Sequence, residues 1–289
     1  MKGAWLPFLG SHTSIAGGLY KAVERAHAVG CDCVQIFTKN GNQWRAKPIL
    51  PAEAEQFRAT LAALAIGYPI AHNSYLINLA SPDDALWRRS VEAMVVEVNR
   101  AEELGLAYVV THPGASLDSG EEQGLRRIVA ALDDVHAETR GVGVRILLET
   151  TAGQGSCLGC RFEHLATILN GVREPERLGV CVDTCHIFAA GYPLATVDEY
   201  RETMKQFATI VGLEQVKAFH LNDSKRELGS RVDRHEHIGQ GLLGLEPFRH
   251  LLNDGRFEHV PMYLETPKGL VDGEELDVIN LRTLRGLID

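Results

Sequence analysis

With 289 residues, 45% of them hydrophobic and 23% charged, the chain is long enough to bury a substantial core. Its apolar runs fall short of a membrane span, so no transmembrane helix is expected, and the opening "MKGAWLPFLGSHTS" is too short and too quickly polar for a secretion signal. A net charge of −9 argues mildly against a nucleic-acid partner, unless the binding face differs in sign from the rest.

Taken in chain order, short apolar runs end in a polar or metal-capable residue: "FLGSH" at His12, "VQIFTK" near Thr38, "YPIAHNS" at His72 and "AYVVTHPG" at His112. Four more follow, "RILLET" at Glu149, "GVCVDT" at Asp183, "VKAFHLND" at His220 and "PMYLETP" at Glu265. Successive end points lie 26 to 45 residues apart, the room that a strand, a helix and two loops require. The segments between read as helices. "SPDDALWRRSVEAMVVEVNRAEELG" has a Ser-Pro start, apolar residues at Leu86, Val91, Met94, Val95 and Val98, and Gly105 as a stop. "ILPAEAEQFRATLAALAIG" runs from Pro to Gly, and Thr196 is placed to cap "VDEYRETMKQFATIVG". Eight strands alternating with helices, with no linker or break in composition, indicate one domain over residues 1–289: a (β/α)₈ barrel of the TIM type. A doubly wound open sheet is the alternative, but it gives no reason for a polar residue at the end of every strand.

The six cysteines fall in three close pairs, Cys31 and Cys33, Cys157 and Cys160, Cys181 and Cys185, and read as reduced thiols of a cytoplasmic protein. "CLGC" has no second pair beside it, so it reads as small residues near a strand end rather than a zinc site.

In a barrel the carboxyl ends of the strands open onto one face. That face would gather His72, His112, Glu149, Asp183, His220 and Glu265, with His186 just after the sixth strand and Asp233 and His235 in the long loop after the seventh. Four carboxylates crowded together repel one another, and divalent cations remove that difficulty. The imidazole and carboxylate mixture suits zinc, or manganese as a substitute. Nine ligands exceed one tetrahedral ion and match about three, if one carboxylate bridges. Any of these residues alone reads more readily as a hydrogen-bonded structural group. Nine at the same end of successive strands point to metal.

The chain also resembles the endonuclease IV class of apurinic/apyrimidinic (AP) endonucleases, within the xylose-isomerase-like barrels. The resemblance runs from "GSHTSIAGGL" through "FTKNGNQWRAKP", "AHNSYLINLASP", "THPGA" and "LETTAGQGS" to "CVDTCHIFAAGY", "FHLNDSK", "DRHEHIGQG" and "LETPKG". It implies a trinuclear zinc site: His72 and His112 on one ion, Glu149 bridging to a second held by Asp183, His220 and Glu265, and His186, Asp233 and His235 on the third. Glu149 and Glu265 would be the catalytic carboxylates. The implied reaction is hydrolysis of the phosphodiester 5′ to an abasic site in double-stranded DNA, leaving a 3′ hydroxyl, by a monomer. A water between two such ions is acidified enough to attack at neutral pH, so no serine or cysteine nucleophile is assigned.

Lys39, Arg45 and Lys47 after the second strand, Lys225, Arg226, Arg231 and Arg234 after the seventh and Lys268 after the eighth are expected on the same face, where DNA phosphates would meet them. Three dications would themselves take the net charge from −9 to −3. Tyr75, followed by Leu76, resembles the family residue that enters the duplex. Asn42 stands where the family commonly has an arginine that fills the gap left in the DNA. Two other readings compete. A sugar isomerase or epimerase would use only Glu149, Asp183, His220 and Glu265, and a non-catalytic damaged-DNA binder would lack a ligand.

Overall fold

The structure, a computed structural model, describes residues 6–289; residues 1–5, where the segment expected to lack a secretion signal begins, lie outside the described residues. The barrel strands are β1 (Leu9–Thr13), β2 (Cys33–Phe37), β3 (Gly67–His72), β4 (Tyr108–Thr111), β5 (Arg145–Glu149), β6 (Leu178–Asp183), β7 (Val216–His220) and β8 (Met262–Leu264). All pair in parallel with their chain neighbours, and β8 returns to β1 with Leu9 opposite Met262. That closing pair makes the expected (β/α)₈ barrel and excludes the open sheet. Each strand ends within one residue of the polar position that marked its end in the sequence.

Parallel strands here are covered on both faces, and all six residues of β6 are buried. The inner face carries one layer of Cys33, Ile70, Val110, Leu147, Cys181, Ala218 and Tyr263, all without solvent exposure. The outward residues, Val34 and Ile36 on β2 for example, pack with the helices in the larger core. Side chains alternate along a strand, so Gln35 shares the inward face of β2 with Cys33, nearer the carboxyl end.

The helices are α1 (Leu19–Ala28), α2 (Pro51–Ala63), α3 (Asp84–Leu104), α4 (Glu121–Glu138), α5 (Phe162–Gly171), α6 (Thr184–Ala190), α7 (Val197–Ile210), α8 (Glu246–Leu252) and α9 (Leu276–Arg285). α3 is capped by Asp83, whose carboxylate accepts Leu86 N–H at 2.9 Å, and stops at Gly105 with φ +73°. Thr196 and Glu199 form the capping box of α7. For α2 the glycine stop is corrected: the helix ends before Ala65, itself left-handed at φ +53°, and Gly67 opens β3.

One element has no counterpart in the sequence pattern. α6 starts directly at the end of β6, with Asp183 as its N-cap accepting His186 N–H at 2.9 Å. The loop after β7 is likewise closed, Asp223–Ser224 pairing antiparallel with His235–Glu236. No helix among the described residues is long and apolar enough to cross a membrane.

Candidate metal centre

Glu149, at the last position of β5, is completely buried at the centre of the carboxyl-end face. Its Oε2 lies 3.1 Å from His72 Nε2 on β3 and 3.1 Å from His112 Nε2 just beyond β4. Its Oε1 lies 2.9 Å from His220 Nδ1 on β7 and 3.3 Å from His186 Nδ1 on α6. One carboxylate therefore faces two separate groups of imidazoles with different oxygens. Glu265, one residue past β8, adds Oε2 at 3.3 Å from His220 Nδ1, and Asp183 adds Oδ2 at 3.8 Å from the same nitrogen. On the far side His186 Nε2 is 3.2 Å from Asp233 Oδ2 and 3.3 Å from His235 Nε2, which is itself 3.3 Å from Asp233 Oδ1.

The structure thus brings all nine expected residues together. Their donor atoms fall into overlapping groups whose members lie within 4.8 Å of one another: His72, His112, Glu149; Glu149, Asp183, His220, Glu265; and Asp183, His186, His235. Cys185 joins Asp233 and His235 in a further group. Burial pushes its thiol up to about 12, so at neutral pH the sulfur is protonated unless a metal displaces the proton.

The donor set fits divalent cations. His72 Nδ1–H donates to the Asn73 carbonyl at 2.9 Å and His186 Nδ1–H to the Thr150 carbonyl at 2.8 Å, so both turn Nε2 to the centre, where a cation would take its lone pair. His235 Nδ1 similarly faces the Glu265 carbonyl at 3.3 Å. His186 Nε2 and His235 Nε2 lie 3.3 Å apart beside the Asp233 carboxylate, an arrangement that needs a positive charge, a proton or a cation, between the two rings. The electrostatics have the same sign. Burial alone would raise the Glu149 carboxyl, but the imidazoles of His220 and His112 hold it well below the usual carboxylate range. For Asp233 burial is likewise outweighed, chiefly by His186, and the carboxyl drops to about 2. The buried His186 is in turn pushed well above its ordinary value, burial being overcome first by Asp183 and then by Asp233. The site favours added positive charge.

Several supporting residues carry no clear signal in the sequence. Asn222 Nδ2 donates to Asp183 Oδ2 at 2.7 Å while its Oδ1 accepts Glu265 N–H at 2.9 Å. Asp223 accepts four backbone N–H groups, those of Ser224, Gly239, Gly241 and Leu243, at 2.7–3.0 Å, and so folds the loop that carries Asp233 and His235. His12 marks only a strand end in the sequence; its Nδ1 is 3.3 Å from Glu265 Oε1, and its Nε2 is buried without a hydrogen-bond partner. The polar residue inside the apolar run "CVQIF" is the one signal for Gln35.

At the rim of a cleft of about 1040 Å³, Tyr75 is 64% exposed and sits edge-on to Phe37, ring centroids 5.1 Å apart. Leu76 beside it is half-buried. The Gly41 carbonyl accepts both Tyr75 N–H at 3.1 Å and the Ser74 hydroxyl at 2.7 Å, so the exposed Asn42 stands next to Tyr75. The expected cations divide. Arg45, Lys47, Arg226, Arg231 and Arg234 are exposed or half-buried, and Lys225 is exposed with its ammonium 3.6 Å from Glu236. Lys39 is different: its buried ammonium is held by Glu97 at 3.0 Å and the Gln43 carbonyl at 2.8 Å, which corrects its reading as a free cation. Lys268 is held by Asp277 and Ser11. All six cysteines are free, and Cys157 and Cys160 lie outside the donor groups.

Comparison with known proteins agrees with this geometry. Residues 23–285 match the family described as xylose isomerase-like TIM barrel. A protein named probable endonuclease 4 from Citrifermentans bemidjiense is 49% identical over 284 residues, covering 98% of this chain and 100% of that one. Another of that name from Chloroflexus aggregans is 52% identical over 283 residues, 98% of each chain. The crystal structure of endonuclease IV from Thermus thermophilus superposes with a TM-score of 0.85 at 38% identity, covering 97% of this chain and 98% of that one. A D-tagatose 3-epimerase-like protein, 18% identical with a TM-score of 0.73, covers 96% of each chain and shares the fold.

Proposed function

The chain belongs to the endonuclease IV family, and on that premise we propose that it is an AP endonuclease, acting on double-stranded DNA at abasic sites. It hydrolyses the phosphodiester 5′ to the lesion and leaves a 3′ hydroxyl. The observation that carries this reading is Glu149, whose two oxygens face two separate donor groups at 2.9–3.1 Å. A single-metal epimerase would need only Glu149, Asp183, His220 and Glu265, and would leave His72, His112, His186, Asp233 and His235 without a purpose.

We assign three divalent cations, zinc first and manganese as a substitute. His72, His112 and Glu149 would hold one; Glu149, Asp183, His220 and Glu265 a second; His186, Asp233 and His235 the third. Bound there, such cations would supply charge neutralisation at the phosphate and the acidification of water that lets it attack at neutral pH. The chain's own part is arrangement. Glu149 and Glu265 concentrate negative charge at the floor of the cleft and fix the donor groups relative to one another. Carbonyl partners keep His72 and His186 in one tautomer. At the rim, Tyr75, Leu76 and Asn42 face the duplex, and Arg234 and Lys225 meet its backbone as sequence-independent contacts. Lys39 contributes by holding its loop in place. An abasic nucleotide has lost its stacking, so extruding it into the cleft costs less than extruding an intact one. All nine donors come from one chain, so the site needs no partner subunit; we read a monomeric enzyme acting as one domain over residues 1–289, and six free thiols fit the cytoplasmic setting expected from the sequence.

The test is incubation with a duplex carrying one abasic site, with and without chelator. Expected is a single nick leaving a 3′ hydroxyl, abolished by chelation and restored by zinc or manganese. Absence of cleavage by protein measured to hold three ions would overturn the reading.

A further inference from the structure

Gln35 belongs to no donor group, yet its side chain is completely buried at the floor of the metal centre. Its amide Nε2 lies 2.6 Å from Glu265 Oε1, and its Oε1 lies 2.8 Å from His220 Nε2. A carboxylate only accepts, so the atom facing Glu265 is the amide nitrogen and the oxygen is fixed toward His220. An amide oxygen also only accepts, so His220 carries its proton on Nε2. Nδ1 of His220 is thereby turned to Glu149, Glu265 and Asp183, at 2.9, 3.3 and 3.8 Å, where a cation would replace its proton and take the lone pair. On Glu265, Oε1 is held on the far side by Gln35, with His12 Nδ1 3.3 Å from that oxygen and 3.0 Å from the amide nitrogen. Oε2 is left facing the centre. The side-chain hydrogen bonds of Gln35 go to Glu265, His220 and His12 and to no backbone group, so they serve the site rather than the barrel.

We propose that Gln35 is a positioning residue: one amide on β2 sets the tautomer of His220 and the rotamer of Glu265, preorganising the group Glu149, Asp183, His220 and Glu265 for a divalent cation. The proposal rests on the reading that this group holds an ion. Partners of this kind, hydrogen-bonded to the ligands themselves, typically change metal affinity about 10- to 100-fold.

The experiment is stepwise removal of zinc from the loaded protein by chelator titration, with the zinc retained measured by elemental analysis, for the wild type, Gln35→Met and His220→Ala. Gln35→Met keeps the length and burial of the side chain but can neither donate to Glu265 nor accept well from His220. Expected is release of one ion at a chelator activity at least about tenfold lower than in the wild type, the other two unchanged. Long-range proton–nitrogen spectra of the zinc-loaded protein should show His220 protonated at Nε2 and unprotonated at Nδ1 in the wild type, and a mixture in the variant. Superimposable release curves, or equal weakening of all three ions, overturn the proposal. If His220→Ala retains every ion of the wild type, the underlying ligand assignment fails instead, whatever Gln35 does. Gln35→Asn, polar but one methylene too short to span both partners, should behave as Gln35→Met does, and carries the test should the methionine variant not fold.

Discussion

Lys39 Nζ lies 3.0 Å from Glu97 Oε1, with the two side chains 5% and 1% exposed. The same carboxylate accepts the Thr38 hydroxyl at 2.7 Å and Ser74 N–H at 3.3 Å, so Glu97 of α3 fastens the loops after β2 and β3 together. Removing one member of a buried pair leaves the other charged and unpaired, which costs about 3–5 kcal/mol. Glu97→Ala is therefore expected to lower unfolding stability by about that much in urea titrations. It should also weaken abasic-duplex binding, because the loops carrying Asn42 and Tyr75 lose their common anchor. A loss under about 1 kcal/mol would show that the ammonium regains water and that the pair does not organise the rim.

Glu149→Gln keeps size and burial but removes the charge that faces two donor groups. The fold should persist by circular dichroism, with at least one ion lost by elemental analysis and cleavage reduced by several orders of magnitude. Near-normal turnover with a full complement of metal would remove Glu149 from the centre of the mechanism.

Asp223 satisfies four N–H groups of the loop after β7, and a Cβ at Gly241 would fall 2.4 Å from its Oδ1, so the loop closes tightly around it. Each buried unsatisfied donor costs about 1–3 kcal/mol, less where the loop relaxes into water. Asp223→Ala should lose about 2–4 kcal/mol of stability. It should also release the ion near Asp233 and His235 preferentially, although Asp223 belongs to none of the donor groups. Metal retention equal to the wild type would mean that the loop keeps Asp233 and His235 in place without Asp223.

Asn42→Arg introduces a long, planar, permanently charged side chain at an exposed loop position beside Tyr75. Binding to abasic duplex is expected to tighten by roughly 1 kcal/mol with a steeper salt dependence, and binding to single-stranded abasic DNA much less. Equal gains on both substrates at two salt concentrations would show a surface charge that fills no gap in the duplex.

Away from the site, Asp254 accepts Tyr200 O–H at 2.8 Å and pairs with Arg256. Burial pushes its carboxyl upward, but the Arg256 and Tyr200 hydrogen bonds outweigh it and leave the pKa depressed. A depressed carboxyl contributes stability that is fully present above its unfolded pKa of about 4 and lost as pH falls through the lower folded value. Asp254→Asn should therefore flatten the fall of metal-free stability below about pH 4 while lowering stability at neutral pH. Parallel acid limbs in wild type and variant would assign that fall to other carboxylates.

Much of this protein is legible along the chain because the barrel writes its layout locally. A strand covered on both faces is an apolar run, and a polar residue survives at its end only because the end opens onto a face where charge is used. His72, Glu149, Asp183 and His220 can thus be placed by reading a few residues on either side of each. The start of α6 is not legible in the same way, because Asp183 reads as a ligand and its second role as an N-cap depends on where the next four residues go.

What the sequence by itself determined is the strand count, the alternation with helices and the nine residues that meet at one face of the barrel, since each depends on residue type and local spacing. What only the tertiary structure decided is which partner each polar group meets. Gln35 and Glu265 are 230 positions apart, and Lys39 finds Glu97 across the gap between a loop and a helix. Whether a lysine is a free cation or half of a buried pair, and whether a strand glutamine meets His220 and Glu265, follows from barrel closure and register. Those contacts form between segments distant in the chain, and no local pattern encodes them.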